Sequence, residues 1–211
     1  MQMVNPPPRK RGRPPKQDPD FNSTRESILR AGVAALTEKG FGASGLDEIL
    51  RKARAPKGSF YHYFPSKEAF GAEAIESYGA FFAKKLDRHL LDESLAPLDR
   101  LRAFIADAEQ GMRRHDFRRG CLVGNLGQEM AALPERFRDQ LNAVFMDWER
   151  RLAACLRLAQ AKGEIAARHD CARLAHFFWI GWEGAVLRAK LSRSAEPLLL
   201  FAEGFFALLS A

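Results

Sequence analysis

Cysteine is scarce in this chain, with three among 211 residues, at positions 121, 155 and 171. An odd number of widely spaced thiols is not a disulfide framework. The N-terminus runs into Pro6-Pro7-Pro8 and a basic cluster with no apolar stretch between them, so nothing there is organised like a secretory signal. The expectation is a cytoplasmic chain with reduced thiols. No apolar run approaches the roughly 20 residues of a membrane-spanning helix, so no membrane partner is expected. Strand-like alternation, internal repeats and a glycine-rich phosphate loop are all missing. The histidines at 62, 89, 115, 169 and 176 show no metal-ligand spacing. No metal and no cofactor are therefore expected. An enzyme with Cys121 as nucleophile and His115 as base would need a third orienting group, and no triad spacing supplies one. No catalytic residue is assigned.

What the chain does have is an uneven charge. Residues 1–70 hold 13 Lys+Arg against 7 Asp+Glu, whereas residues 71–211 hold 20 against 19. Almost all of the net +7 thus sits in the first third. A basic module attached to a nearly neutral body is the electrostatic footprint of a DNA-binding head.

Residues 1–22 are rich in proline and basic residues without helical period and read as a disordered arm. Within it, Arg11-Gly12-Arg13-Pro14 resembles an AT-hook, whose arginines enter the narrow minor groove of A/T-rich DNA. The alternative is a polybasic tail held by phosphates alone. Ser23 and Glu26 form the pattern of a capping box. They open a helix that buries Ile28, Leu29, Val33 and Leu36 and closes at Lys39-Gly40, with Phe41 expected to plug the small core beside it.

The apolar positions 46, 49, 50 and 53 define one face of a short helix, with Ser44 as its expected cap. After a tight turn at 54–56, Pro56 is placed to start a second helix, which Pro65 ends. Lys57 then lies at a helix N-terminus that favours phosphate. Ser59, Tyr61 and His62 project towards base edges or backbone, and Tyr63 and Lys67 towards phosphate. The run Pro56-Lys57-Gly58-Ser59-Phe60-Tyr61-His62-Tyr63-Phe64-Pro65-Ser66-Lys67 resembles the signature of the TetR family of transcriptional regulators. One departure is Arg54, where the family's turn usually carries glycine; a left-handed conformation there has a steric cost. The resemblance implies an all-α homodimer with an N-terminal three-helix helix-turn-helix head over residues 23–67. A connecting helix runs to about 90, and a C-terminal helical bundle over 91–211 binds effector and dimerises. It also implies that Phe60 and Phe64 pack inward while their neighbours contact a double-stranded, pseudo-palindromic operator, with recognition helices about 34–36 Å apart or a multiple of that.

Further helices are expected from Lys67 to about Leu90, over 98–112, from Pro134 to near Gly163, over 171–191 and over 197–209. The last two are apolar on more than one face, which calls for a partner and suggests a helix–helix dimer interface. The stretches 119–129, 179–185 and 189–194 extend the resemblance to a subgroup of electrophile-sensing and acrylate-responsive repressors, in which a small effector releases DNA. The resemblance matches Cys121 and Lys190 to a redox-linked Cys–Lys pair. Independently, Cys121 is placed at the start of a helix behind Arg118 and Arg119, which favours thiolate; the alternative is a small buried residue. Arg118, Arg119 or Lys190 would pair with an effector carboxylate. Trp179 and Trp182 would form an apolar wall, and Asn125 or Gln128 a hydrogen bond. A non-reactive hydrophobic ligand remains the alternative effector, and an architectural DNA-binding protein the alternative class.

Overall fold

The computed structural model describes residues 19–210, and among them the secondary structure is helical throughout. The helices are α1 (Pro19–Lys39), α2 (Leu46–Ala53), α3 (Phe60–Tyr63), α4 (Lys67–Leu90), α5 (Pro97–Arg113), α6 (Leu122–Gln128), α7 (Glu135–Ala161), α8 (Cys171–Ser192) and α9 (Glu196–Ser210). A 3-10 turn at Met130–Ala132 follows α6. Arg11 and Arg13 lie outside the described residues. The expected arm is shorter than the sequence suggests, because α1 already includes Pro19. Ser23 is consequently an interior residue of the helix, and its carbonyl accepts from the Ser27 hydroxyl at 2.8 Å.

Two buried clusters organise the chain. The smaller one joins α1, α2, α3 and the first turn of α4 through Ile28, Ala35, Ile49, Leu50, Phe60, Phe64 and Phe70. Three rings dominate it: Phe70 stands edge-on to Phe60 at 5.4 Å and to Phe64 at 5.0 Å. Gly32 admits the Phe70 ring, since a Cβ there would stand 2.0 Å from its Cζ. Arg25 braces this unit from α1, pairing with Glu73 of α4 at 2.6 Å and lying 5.1 Å over the Phe64 ring.

The larger cluster fills the body around Trp148, Trp179, Trp182, Phe104, Phe178 and Phe205. Phe41 belongs here and not to the small head core: it packs edge-on against Phe137 of α7 at 5.4 Å. The physical reason is the turn before it. Gly40 has φ of 79°, and the amides of Phe41 and Gly42 donate to the Glu129 carboxylate at 3.0 and 2.8 Å. The chain is thereby drawn towards the body as it leaves α1. No helix among the described residues is long and apolar enough to cross a membrane.

Candidate DNA-binding surface and effector cavity

The turn that ends α2 has no glycine at its left-handed position. Arg54 takes the left-handed conformation (φ 56°, ψ 31°), its N–H donates to Arg51 O at 3.2 Å, and Ala55 N donates to Leu50 O at 2.9 Å. These bonds satisfy the last carbonyls of α2 and offset the steric cost of a side chain there. Two sequence expectations need correcting. Ser44 does not cap α2; its hydroxyl donates back to Gly40 O at 2.6 Å, and Gly45 stands at the cap without a side chain. The recognition helix begins at Phe60, not Pro56, because residues 56–59 close a separate turn through Ser59 N to Pro56 O at 3.0 Å.

Phe60 and Phe64 are buried and anchor α3. Tyr61 and His62 are exposed beside them, with Tyr61 at 68%. Lys57 is exposed in the turn preceding α3, in a loose 3.6 Å pair with Asp47. The Ser59 hydroxyl donates to Pro56 O at 2.7 Å, and Tyr63 is partly buried. Lys67 is also partly buried; its ammonium donates to Phe41 O at 2.9 Å and lies 4.7 Å over that ring. Lys67 therefore serves the junction between head and body as well as any phosphate. Arg51 and Arg54, which sequence reasoning passed over, are exposed next to the same surface. Tyr61→Ala is expected to weaken operator binding at least tenfold in a gel shift with little change in the unfolding midpoint, since the side chain is exposed and stands edge-on to the Phe60 ring at 5.4 Å without being enclosed.

A cavity of about 680 Å³ opens between the head and the body. One wall is α1 itself, through Glu26, Leu29, Arg30 and Val33; the others come from Tyr78, Phe82 and Lys85 of α4, Met112 and the residues after α5, and Trp182, Glu183 and Val186 of α8. Arg30, Arg114 and Arg119 make much of its rim cationic, while Lys85 is paired with Asp107 at 3.2 Å. His115 lines it too; burial, and then Arg119 and Arg114, hold its pKa below the usual histidine value.

Of the effector residues expected from sequence, Cys121, Arg119 and Trp182 come together here. Arg118 lies in a separate cleft with Glu38, Phe117 and Lys190. Trp179 is a core residue, 4.9 Å from the Trp148 ring, and Gln128 is exposed. Asn125 ties α6 to the end of α1: its amide donates to Leu36 O and Thr37 O at 3.0 and 2.8 Å, and its carbonyl accepts from Lys190 Nζ at 3.0 Å. Lys190 thus meets Asn125, with its stem against Gly120.

Cys121 caps α6 as expected, its Sγ accepting from Gly124 N at 3.5 Å. The expected thiolate does not follow. The residue is buried, and desolvation pushes its thiol well above the ordinary range. The Glu183 carboxyl raises it further, where the sequence suggested arginines, and Lys190 is close enough to feel the sulfur. Glu183 is itself pushed up to about 7 by burial. Tyr78 completes the group, buried and also shifted upward, first by desolvation and then by Cys121 and Glu183. Neither Tyr78 nor Glu183 was legible as a site residue; a carboxylate at the centre of the apolar run 177–187 was the available signal.

A short head presenting exposed polar residues on a two-turn scaffold, joined to a helical body with a ligand-sized cavity, defines a helix-turn-helix regulator. Comparison with known proteins gives the family. A model described as "Bacterial regulatory proteins, tetR family" matches residues 28–74, and one described as "Tetracyclin repressor-like, C-terminal domain" matches residues 97–205. The chain is 57% identical over 196 residues to the transcriptional regulator AcuR of Cereibacter sphaeroides, covering 93% of this chain and 89% of that protein. It is 33% identical over 177 residues to the HTH-type transcriptional repressor NemR of Escherichia coli K12, covering 84% and 89%. Among solved structures, a regulatory protein TetR from Rhodobacter sphaeroides superposes with a TM-score of 0.85 at 57% identity, over 87% of this chain and 97% of that one. The reduced form of E. coli NemR superposes at 0.78 with 32% identity, over 87% and 95%. The chain belongs to the TetR family of helix-turn-helix transcriptional repressors. Members of the family bind operator DNA and typically dimerise.

Proposed function

We propose that the protein represses transcription as a homodimer on a pseudo-palindromic operator and is released by a small electrophile or unsaturated carboxylate, such as acrylate, that enters the cavity and reaches Cys121. The observation that carries this reading is the cavity's composition: a thiol on its floor, cations on its rim and the head helix α1 as one wall. A carboxylate would pair with Arg119 or Arg30, while Trp182 and Phe82 would take the apolar part.

The position of the cavity supports a route from ligand to DNA. An effector shifts an equilibrium only by binding its two states unequally. A cavity whose wall is α1 changes shape when the head moves, which supplies that inequality. Cys121 also caps α6, and α6 holds the end of α1 through Asn125 and the following turn through Glu129. Moving the head population from 1:99 to 99:1 requires about 5.5 kcal/mol of differential affinity, more than a ligand as small as acrylate readily supplies without a covalent bond.

On this reading the head comprises residues 19–67, α4 connects it to the body, and residues 91–211 dimerise and bind effector in a cavity that α1 and α4 help to wall. Lys57, Ser59, Tyr61, His62, Tyr63 and Lys67 face the operator. The N-terminal arm, through Arg11 and Arg13, adds contacts in the flanking minor groove. The decisive variant is Cys121→Ser, assayed by operator release on addition of N-ethylmaleimide or acrylate. Wild type is expected to release with both; the variant is expected to stay on DNA with N-ethylmaleimide at any dose that releases wild type. A Ser variant that responds normally to both compounds would remove the sensing role of Cys121.

A further inference from the structure

The floor of the cavity holds more chemistry than a thiol. Cys121 at the cap of α6, Tyr78 of α4 and Glu183 of α8 meet there, close enough that Glu183 and Tyr78 both bear on the thiol and Cys121 and Glu183 both bear on the Tyr78 hydroxyl. The Glu183 carboxyl is seated against Gly124, where an added Cβ would stand 2.0 Å from its Oε2 and where Cys121 Cβ is the next neighbour at 3.7 Å. Gly124 therefore makes room for a carboxyl beside the sulfur. A buried neutral thiol is a poor nucleophile, so a reactive Cys121 in this place needs a base at hand. The cations of the rim cannot serve as one.

Building on the reading of the cavity given above, we propose that Glu183 relays the proton in the addition of Cys121 across an activated carbon–carbon double bond. The Cys121 S–H proton passes to the Glu183 carboxylate as Sγ forms a bond to the β-carbon of the alkene. The π pair moves onto the α-carbon and its carbonyl or carboxyl oxygen as an enolate. Glu183 then returns the proton to the α-carbon and regains its carboxylate. The sum is S–H added across C=C, with no oxidant, reductant or leaving group. A carboxyl titrating near neutrality is suited to both transfers, since it accepts and returns a proton at similar cost. The arrangement also restricts reaction to compounds that enter the cavity, because the thiol is not activated by ionisation in advance.

The test follows adduct formation at Cys121 by intact mass and peptide mapping, with N-ethylmaleimide and with acrylate, on the full-length protein. Glu183→Gln is expected to slow both reactions about 100-fold, the lower end of what a positioned acid–base group contributes. Gly124→Ala supplies a second variant that keeps the carboxyl but drives it from its seat, and alanine is favoured over glycine inside a helix; the same slowing is expected. Reaction at the wild-type rate in both variants overturns the relay. Operator release from wild type with no added mass on Cys121 also overturns it, and leaves the cavity reading standing. Absence of both binding and release with wild type removes the cavity reading and the relay together.

Discussion

Replacing Ile180 and Leu200 with arginine is expected to convert the protein to a monomer and to lower its operator affinity at least 100-fold. The argument starts from helices α8 and α9, which pack on each other and yet leave apolar side chains outside. On α8, Phe177, Ile180, Leu187 and Leu191 are exposed at 49, 62, 36 and 72%, and they follow helical spacing along one stripe. On α9, Leu199, Leu200 and Leu208 are exposed at 53, 65 and 40%. Single exposed leucines are ordinary, but a contiguous stripe across two adjacent helices marks an interface. Each fully buried Leu or Ile contributes about 1.5–3 kcal/mol, and a twofold interface counts every position twice. The double variant removes four such side chains from the dimer and places four cations there. A monomer holds one half-site instead of two and loses the gain in effective concentration that the second head brings. Light scattering reads the first effect and a gel shift the second. A variant that remains dimeric would show that this face is not the interface.

Phe70→Ala is expected to destabilise the head by about 3–5 kcal/mol, the range for emptying a buried aromatic site, and to abolish operator binding. Phe70 sits in the first turn of α4 but serves the head, where it closes the ring cluster with Phe60 and Phe64 over Gly32. The cluster is small, so its neighbours have few ways to collapse into the void. The loss is a large share of the roughly 5–15 kcal/mol that a domain has in total. The body's core is a separate cluster around Trp148 and Trp179. Denaturation followed by tryptophan fluorescence should therefore move less than denaturation followed by the accessibility of the partly buried Tyr63 or by DNA binding. Equal shifts in both would indicate a single cooperative unit.

Much of the architecture was written locally. The spacing of positions 46, 49, 50 and 53 gives α2 with the bounds the structure has, and the extents of α4, α7, α8 and α9 follow from periodicity to within a few residues. The helix extents depend on short-range propensities and on one helix's own apolar face. The inward Phe60 and Phe64 came instead from the resemblance to the family signature, and the structure buries both. The local reading misplaced Pro56 and Ser44, where turn hydrogen bonds took precedence over residue preference.

The site is a different matter. The sequence placed Cys121 at a helix start with arginines before it, and from those neighbours it read a thiolate. Periodicity cannot say which helices meet, so it could not bring Tyr78 and Glu183 to the sulfur, send Trp179 to the core and Trp182 to the cavity, or draw Phe41 away from the head towards Phe137. Protonation depends on desolvation, and desolvation exists only once distant elements have closed over a group. The sequence by itself determined the helices and the basic head. Only the tertiary structure decided that the thiol rests neutral beside a carboxyl, in a cavity walled by the helix that carries the head.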